Sequence, residues 1–200
     1  MLSAMTEKPS YLGLLNAISN AEGEAECYLS AWAETTDRAD VRTIIATVAL
    51  REGEHAKAFA KRMCELGFDV VPKTDAKTAE KMAVASSKTL SDLDKFRQLD
   101  LGLPPVEGKP DIFAGMFGDN TIDIQTGTLL GRYIAEERDS GRLFQGCRGV
   151  LEAEVCGNDQ GSSNGATPAD RLDRVEQLLE RLLEKLFDAI EAVSGCNTIA

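Results

Sequence analysis

The chain has 200 residues, 43% of them hydrophobic, and 22 Lys and Arg against 33 Asp and Glu leave a formal charge of −11. That length accommodates one domain with its own core plus an appendage. An acidic balance with no lysine or arginine block argues against nucleic acid, which is gripped through basic patches. No apolar run approaches the ~20 residues that a membrane helix needs, and residues 1–10 hold no apolar signal core. The five cysteines, Cys27, Cys64, Cys147, Cys156 and Cys196, are scattered and never closely paired. Together these features predict a cytoplasmic protein with reduced thiols and no membrane partner.

A first helix is expected over about Tyr11–Thr35. Leu15, Ile18, Ala25, Leu29 and Trp32 step by three or four with one gap, and Glu22 fills that gap. A short turn around Thr36, Asp37, Arg38 and Ala39 leads to a second helix over about Asp40–Leu66, which Gly67 is placed to stop. Its stripe reads Val41, Ile45, Val48, then Phe59, Met63, Leu66. Between them, in the same seam, stand Glu52 and the only histidine, His55. Residues three apart share a helix face, and a buried charge is costly unless something pairs with it. A metal ion would serve. Two helices joined by so short a turn should be antiparallel neighbours. Glu22 and Glu52 each lie fifteen residues from Asp37. At ~1.5 Å per residue they reach the same level of the hairpin and can share an ion.

Residues 75–100 read as one or two weaker helices with a Leu90, Leu93, Phe96, Leu99 stripe. Residues 102–121, with three prolines and four glycines, read as a loop anchored by Phe113, Met116 and Phe117. A third long helix is expected over about 124–154, with Leu130, Tyr133, Ile134, Glu137, Phe144 and Leu151 on its stripe. Glu137 is a further candidate ligand, Glu136 beside it an alternative, and the competing reading is a solvated charged face. Residues 157–167 are polar and glycine-rich, a flexible linker. Thr167-Pro168-Ala169-Asp170 is a strong helix start, followed by an amphipathic, coiled-coil-like helix over 168–194 with a wholly apolar seam. The expected domains are therefore 1–156, the linker 157–167 and the C-terminal helix 168–194.

Two segments, Glu22-x-x-Ala25-x-x-Tyr28 and Glu52-x-x-His55-Ala56, carry a resemblance to the ferritin-like superfamily. They are similar to the metal-binding helix pair of rubrerythrins. Their 30-residue interval also resembles the encapsulated ferritins, whose two-helix protomers complete a di-iron site by dimerising. The resemblance covers about residues 8–67, with a further helix at 124–154. It implies an all-α, ferritin-like bundle of long antiparallel helices that binds iron, or alternatively manganese, in a carboxylate-bridged di-iron site. Ferrous iron oxidation or peroxide reduction would be its chemistry. Glu52 would bridge, His55 would bind one ion, and Glu22 would bind terminally or bridge. Three ligands are too few for two ions, so either Glu137 (or Glu136) or a second protomer completes the set. Tyr28 and Trp32 sit where redox neighbours lie in related proteins, although core packing is their other reading. The scattered cysteines exclude a rubredoxin-type module, which calls for an external electron donor. A homo-oligomer is expected, and residues 194–200 show no encapsulin-targeting tail. The competing function is a non-enzymatic helical scaffold or assembly protein with a degenerate ferritin-like fold.

Overall fold

The computed structural model describes residues 8–73, 76–104, 111 and 113–159. The chain divides into two compact units, Met1–Glu152 and Ala153–Ala200. Among the described residues the structure is all-α, with five helices: α1 (Leu12–Thr35), α2 (Ala39–Glu65), α3 (Thr78–Ala85), α4 (Asp92–Gln98) and α5 (Ile124–Asp159). The predicted helix at 168–194 lies outside the described residues, as does most of the expected linker; α5 continues through Asp159.

α1 and α2 form an antiparallel hairpin. The Ser19 hydroxyl donates to Ala56 O near the open end, and Arg42 donates to Ala33 O near the turn. Gly67 ends α2 as the sequence anticipates. With φ +85° it lets Phe68 N–H reach Met63 O while its own N–H reaches Cys64 O. This reverse turn satisfies the last carbonyls and lays Phe68 on the core.

Two short helices, α3 and α4, close the turn end. Ser91 caps α4 by accepting from Asp94 N–H. Asp92 accepts from the Trp32 indole and from the Thr36 hydroxyl, each at 2.7 Å. Lys95 is buried, donating to Thr35 Oγ1 and Ala85 O, and burial pushes its ammonium pKa down. Trp32 and Phe96 meet edge to face at 4.8 Å. Phe113 and Met116 pack on the core as expected. Phe117 does not anchor the loop: it is 52% exposed, because the turn at 113–117 spends its inward positions on the other two.

α5 begins at Asp123, whose carboxylate accepts from Gln125 N–H, Thr126 N–H and the Thr126 hydroxyl. The same group takes the Tyr11 hydroxyl and pairs with Arg62, clasping the open end. α5 then runs alongside the hairpin, antiparallel to α2. Arg62 donates to Thr126, His55 meets Glu136, and Arg51 donates to Ser140. Its buried positions are Thr126, Leu130, Tyr133, Ile134, Ser140, Phe144, Cys147 and Leu151. Apart from Ile134, which widens the face, they step by three and four, with the half-buried Glu137 between Tyr133 and Ser140, as a helix lying along a seam requires.

The core is two apolar clusters. One, at the turn end, contains Leu29, Trp32, Ile45, Phe96 and Phe144. The other, at the open end, contains Leu15, Ile18, Phe59, Met63 and Leu130. A polar layer lies between them.

Candidate metal centre

That layer consists of Glu22 from α1, Glu52 and His55 from α2, and Glu137 from α5. One ligand atom from each falls within 4.8 Å of all the others. Glu22, Glu52 and His55 are buried, and Glu137 is 20% exposed at its side chain. The equal-arm argument for Glu22 and Glu52 thus corresponds to a real juxtaposition. α5 supplies Glu137 from the same chain, so no second protomer is needed to bring these four together.

His55 sits at the centre of the layer. Its Nε2 lies 2.7 Å from Glu136 Oε2. Its Nδ1 lies 3.3 Å from Glu137 Oε1 and 3.9 Å from Glu22 Oε2. Tyr133 packs edge-on against the imidazole at 5.0 Å and donates its hydroxyl to Glu22 Oε1 at 2.8 Å. Burial first, then the surrounding carboxylates, raise the Tyr133 pKa, so this phenol stays protonated and acts as a donor.

The layer is crowded with negative charge, and protons compensate for it. Burial and then the neighbouring Glu22 carboxylate push the Glu52 pKa far up. Burial opposes ionisation of Glu22 as well, but hydrogen bonds from His55, Glu52 and Tyr133 outweigh it and lower its pKa. The pair thus shares a proton that resides on Glu52. Burial would also lower the His55 pKa, yet Glu137, Glu22 and Glu136 together raise it to about 10.

Among the described residues three buried side-chain atoms have no hydrogen-bond partner: Thr78 Oγ1 at the start of α3, and, in the polar layer, His55 Nδ1 and Glu137 Oε1. The latter two face one another. Buried polar atoms are nearly always paired, and an orphan signals either a cost or an absent ion. Two ligands bound at ~2.1 Å to one tetrahedral or octahedral ion stand about 3.0–3.4 Å apart, and the Nδ1–Oε1 separation falls in that range. The donor set of three carboxylates and one imidazole suits a first-row divalent ion. The residues present therefore fit a metal.

A cavity opens onto the layer. It measures about 640 Å³ and is bounded by α1, the Lys73 and Lys81 region, the turn at Asp100–Leu103 and α5. Glu22, Glu52 and Glu137 open onto it, with Tyr28 on its wall. Tyr28 also packs on the turn-end cluster, whereas Trp32 is wholly buried and hydrogen-bonded to Asp92.

Sequence reasoning treated Tyr133 as an apolar stripe residue and Glu136 only as a substitute for Glu137. Tyr133 proves to be the hydrogen-bond donor to Glu22. Glu136 touches the other edge of the histidine and is held by Arg132 Nε at 2.9 Å. The i,i+4 spacing of Arg132 and Glu136 was the available signal for this second pair.

No protein-family model, curated protein or solved structure matches the chain. Among the described residues, no helix is long and apolar enough to cross a membrane, and Cys27, Cys64, Cys147 and Cys156 are free thiols.

Proposed function

We propose that this protein binds iron in the polar layer, as a ferritin-like carboxylate centre, and carries out oxygen or peroxide chemistry there. The observation that carries the reading is the pair of unpartnered buried atoms, His55 Nδ1 and Glu137 Oε1, facing each other within the Glu22, Glu52, His55, Glu137 cluster. A purely structural network would close these two atoms, 3.3 Å apart, into an aligned hydrogen bond or give Glu137 an arginine.

Glu22, Glu52, Glu137 and His55 would hold the metal, which when bound supplies a redox-active Lewis acid for oxygen or peroxide. The chain's own residues do the rest. Tyr133 orients the Glu22 carboxylate through its hydroxyl. The proton shared by Glu22 and Glu52 and the proton on His55 leave as cation charge arrives. The cavity beside the three carboxylates gives small reactants a way in, and the two apolar clusters cover the layer at its two ends. Iron rather than manganese as the resident ion, an external electron donor and a homo-oligomeric assembly belong to the same reading.

Metal analysis of protein purified without chelator tests the proposal. The unmodified chain should carry iron, and Glu52→Ala and His55→Ala should each lose it while keeping their helical circular dichroism. Full iron occupancy in both variants, or an iron-free parent that binds no ferrous iron on titration, would overturn it.

A further inference from the structure

An imidazole has two nitrogens, and the geometry around His55 divides their labour. Nε2 is already engaged at 2.7 Å by Glu136 Oε2, a hydrogen-bond distance that leaves no room for an ion between them. Nδ1 is buried, makes no hydrogen bond, and lies 3.3 Å from Glu137 Oε1 and 3.9 Å from Glu22 Oε2. The ring cannot serve both sides in the other orientation. Turning it over would place carbon against Glu136 and against the carboxylate cluster, and Tyr133 packed edge-on against it resists the turn. Glu136 is itself fixed. Arg132 Nε holds its Oε1 at 2.9 Å, which leaves Oε2 for the histidine.

We infer that Glu136 is a positioning residue for the metal centre: by accepting the Nε2 proton of His55 it commits the imidazole to present Nδ1 to the ion. This deepens the iron-binding reading and rests on it. Glu136 and Glu137, adjacent in sequence, then have different tasks. They project about 100° apart around α5, one to each edge of the same ring. Glu137 shares the orphaned face with the ion, and Glu136 orders the ring from behind. A metal-bound histidine whose other nitrogen donates to a carboxylate is held in one tautomer and is a more basic ligand, and loss of such a partner typically weakens metal binding roughly 10–100-fold.

The chain makes this directly testable, because His55 is its only histidine. Every imidazole ¹⁵N signal in a labelled sample therefore comes from the site. The probe is zinc, which is redox-inert and diamagnetic. In the unmodified chain saturated with zinc, long-range ¹H–¹⁵N spectra should show Nδ1 coordinated and Nε2 carrying the proton. Zinc titration of Glu136→Ala should show affinity reduced 10–100-fold at unchanged stoichiometry. Glu136→Gln, whose amide oxygen still accepts from Nε2–H, should recover most of that loss. Glu137→Ala should instead lower the number of ions bound.

Coordination through Nε2, an unchanged zinc affinity in Glu136→Ala, or a lowered stoichiometry in that variant would each overturn the assignment. In those three cases zinc still binds the parent, so the metal-centre reading survives. A parent chain that binds no zinc at this site overturns both. A general structural role for Glu136 would change thermal stability but would not yield recovery by glutamine together with a tautomer read at one nitrogen.

Discussion

Filling the polar layer with a metal should expel two protons. In the empty site Glu52 holds one because burial and the Glu22 carboxylate raise its pKa far above neutrality. His55 holds the other: burial opposes it, but Glu137, Glu22 and Glu136 raise its pKa to about 10. A metal takes an unprotonated imidazole nitrogen and an unprotonated carboxylate. Between about pH 6 and pH 8 both groups start protonated and end deprotonated. Each released proton contributes about 1.4 kcal/mol per pH unit to the apparent binding free energy, so two give about 2.7 kcal/mol, or roughly a hundredfold rise in affinity per unit. Calorimetric titration of the metal-free chain with zinc, repeated in buffers of different protonation enthalpy, counts the protons directly. Glu52→Gln, which carries no displaceable proton at that position, should reduce the count for the first ion from two to one. A count below one, or an affinity flat across this range, would refute the reasoning, since it would mean that the empty layer does not store its charge as bound protons.

The metal-free chain should lose stability as pH rises from about 6 to 9. Glu52 binds its proton more tightly folded than unfolded, so its contribution declines above the ordinary glutamate value of 4.5, and that of His55 is complete below 6.5 and lost on approach to about 10. Thermal midpoints should fall over this range, and Glu52→Gln should flatten the slope. A steeper slope in the variant would contradict the assignment. Asp92→Ala should cost roughly 2–4 kcal/mol, because it strands the Trp32 indole and the Thr36 hydroxyl in the interior. The fluorescence of Trp32, the only tryptophan, reports the urea midpoint, and an unchanged midpoint rejects that role. Gly102→Ala should cost about 2 kcal/mol or more by the same measurement, since its φ of +67° disfavours a side chain and a Cβ there would lie 2.7 Å from Phe144 O.

The hairpin was legible in the sequence because its signals are local. A single periodicity spans each helix, a glycine suited to positive φ stands at Gly67, and the turn is too short to allow anything but antiparallel return. Counting residues from that turn then placed Glu22 opposite Glu52. α5 was harder to read, since a glutamate on a stripe looks the same whether it faces solvent or a cluster. What distinguishes Glu137 is the hairpin opposite it, and no periodicity within α5 contains that information. The hydroxyl of Tyr133 was hidden for the same reason, because a phenol fits an apolar stripe and its donor role depends on a carboxylate 111 residues away. Thr126 and Ser140 are not in the stripe read from the sequence. They are seam positions whose hydroxyls meet Arg62 and Arg51, long side chains that fold back along the interface with their stems covered. Phe117 failed in the opposite direction: its hydrophobicity suggested burial, but the tight turn at 113–117 has more apolar residues than inward positions.

The alternating three-and-four spacing along α5 has a liability that the polar layer removes. Such a seam nearly repeats every seven residues, so an apolar version of α5 could slide against α2 by one repeat, roughly 10.5 Å, and pack almost as well. In this chain that slip changes what the side chains of α2 meet. Moved seven residues one way, Arg62 would meet Tyr133 instead of Thr126, Arg51 would meet Cys147 instead of Ser140, and His55 would meet Leu143 instead of Glu136. Moved the other way, Arg51 would meet Tyr133 and His55 would meet Leu129. Either slip takes His55 from a carboxylate to a leucine, which cannot answer its charge. The residues that gather a metal are therefore also the alignment marks of the helices. Replacing His55, Glu136 and Glu137 with leucines would enlarge the apolar core while making two registers nearly equivalent.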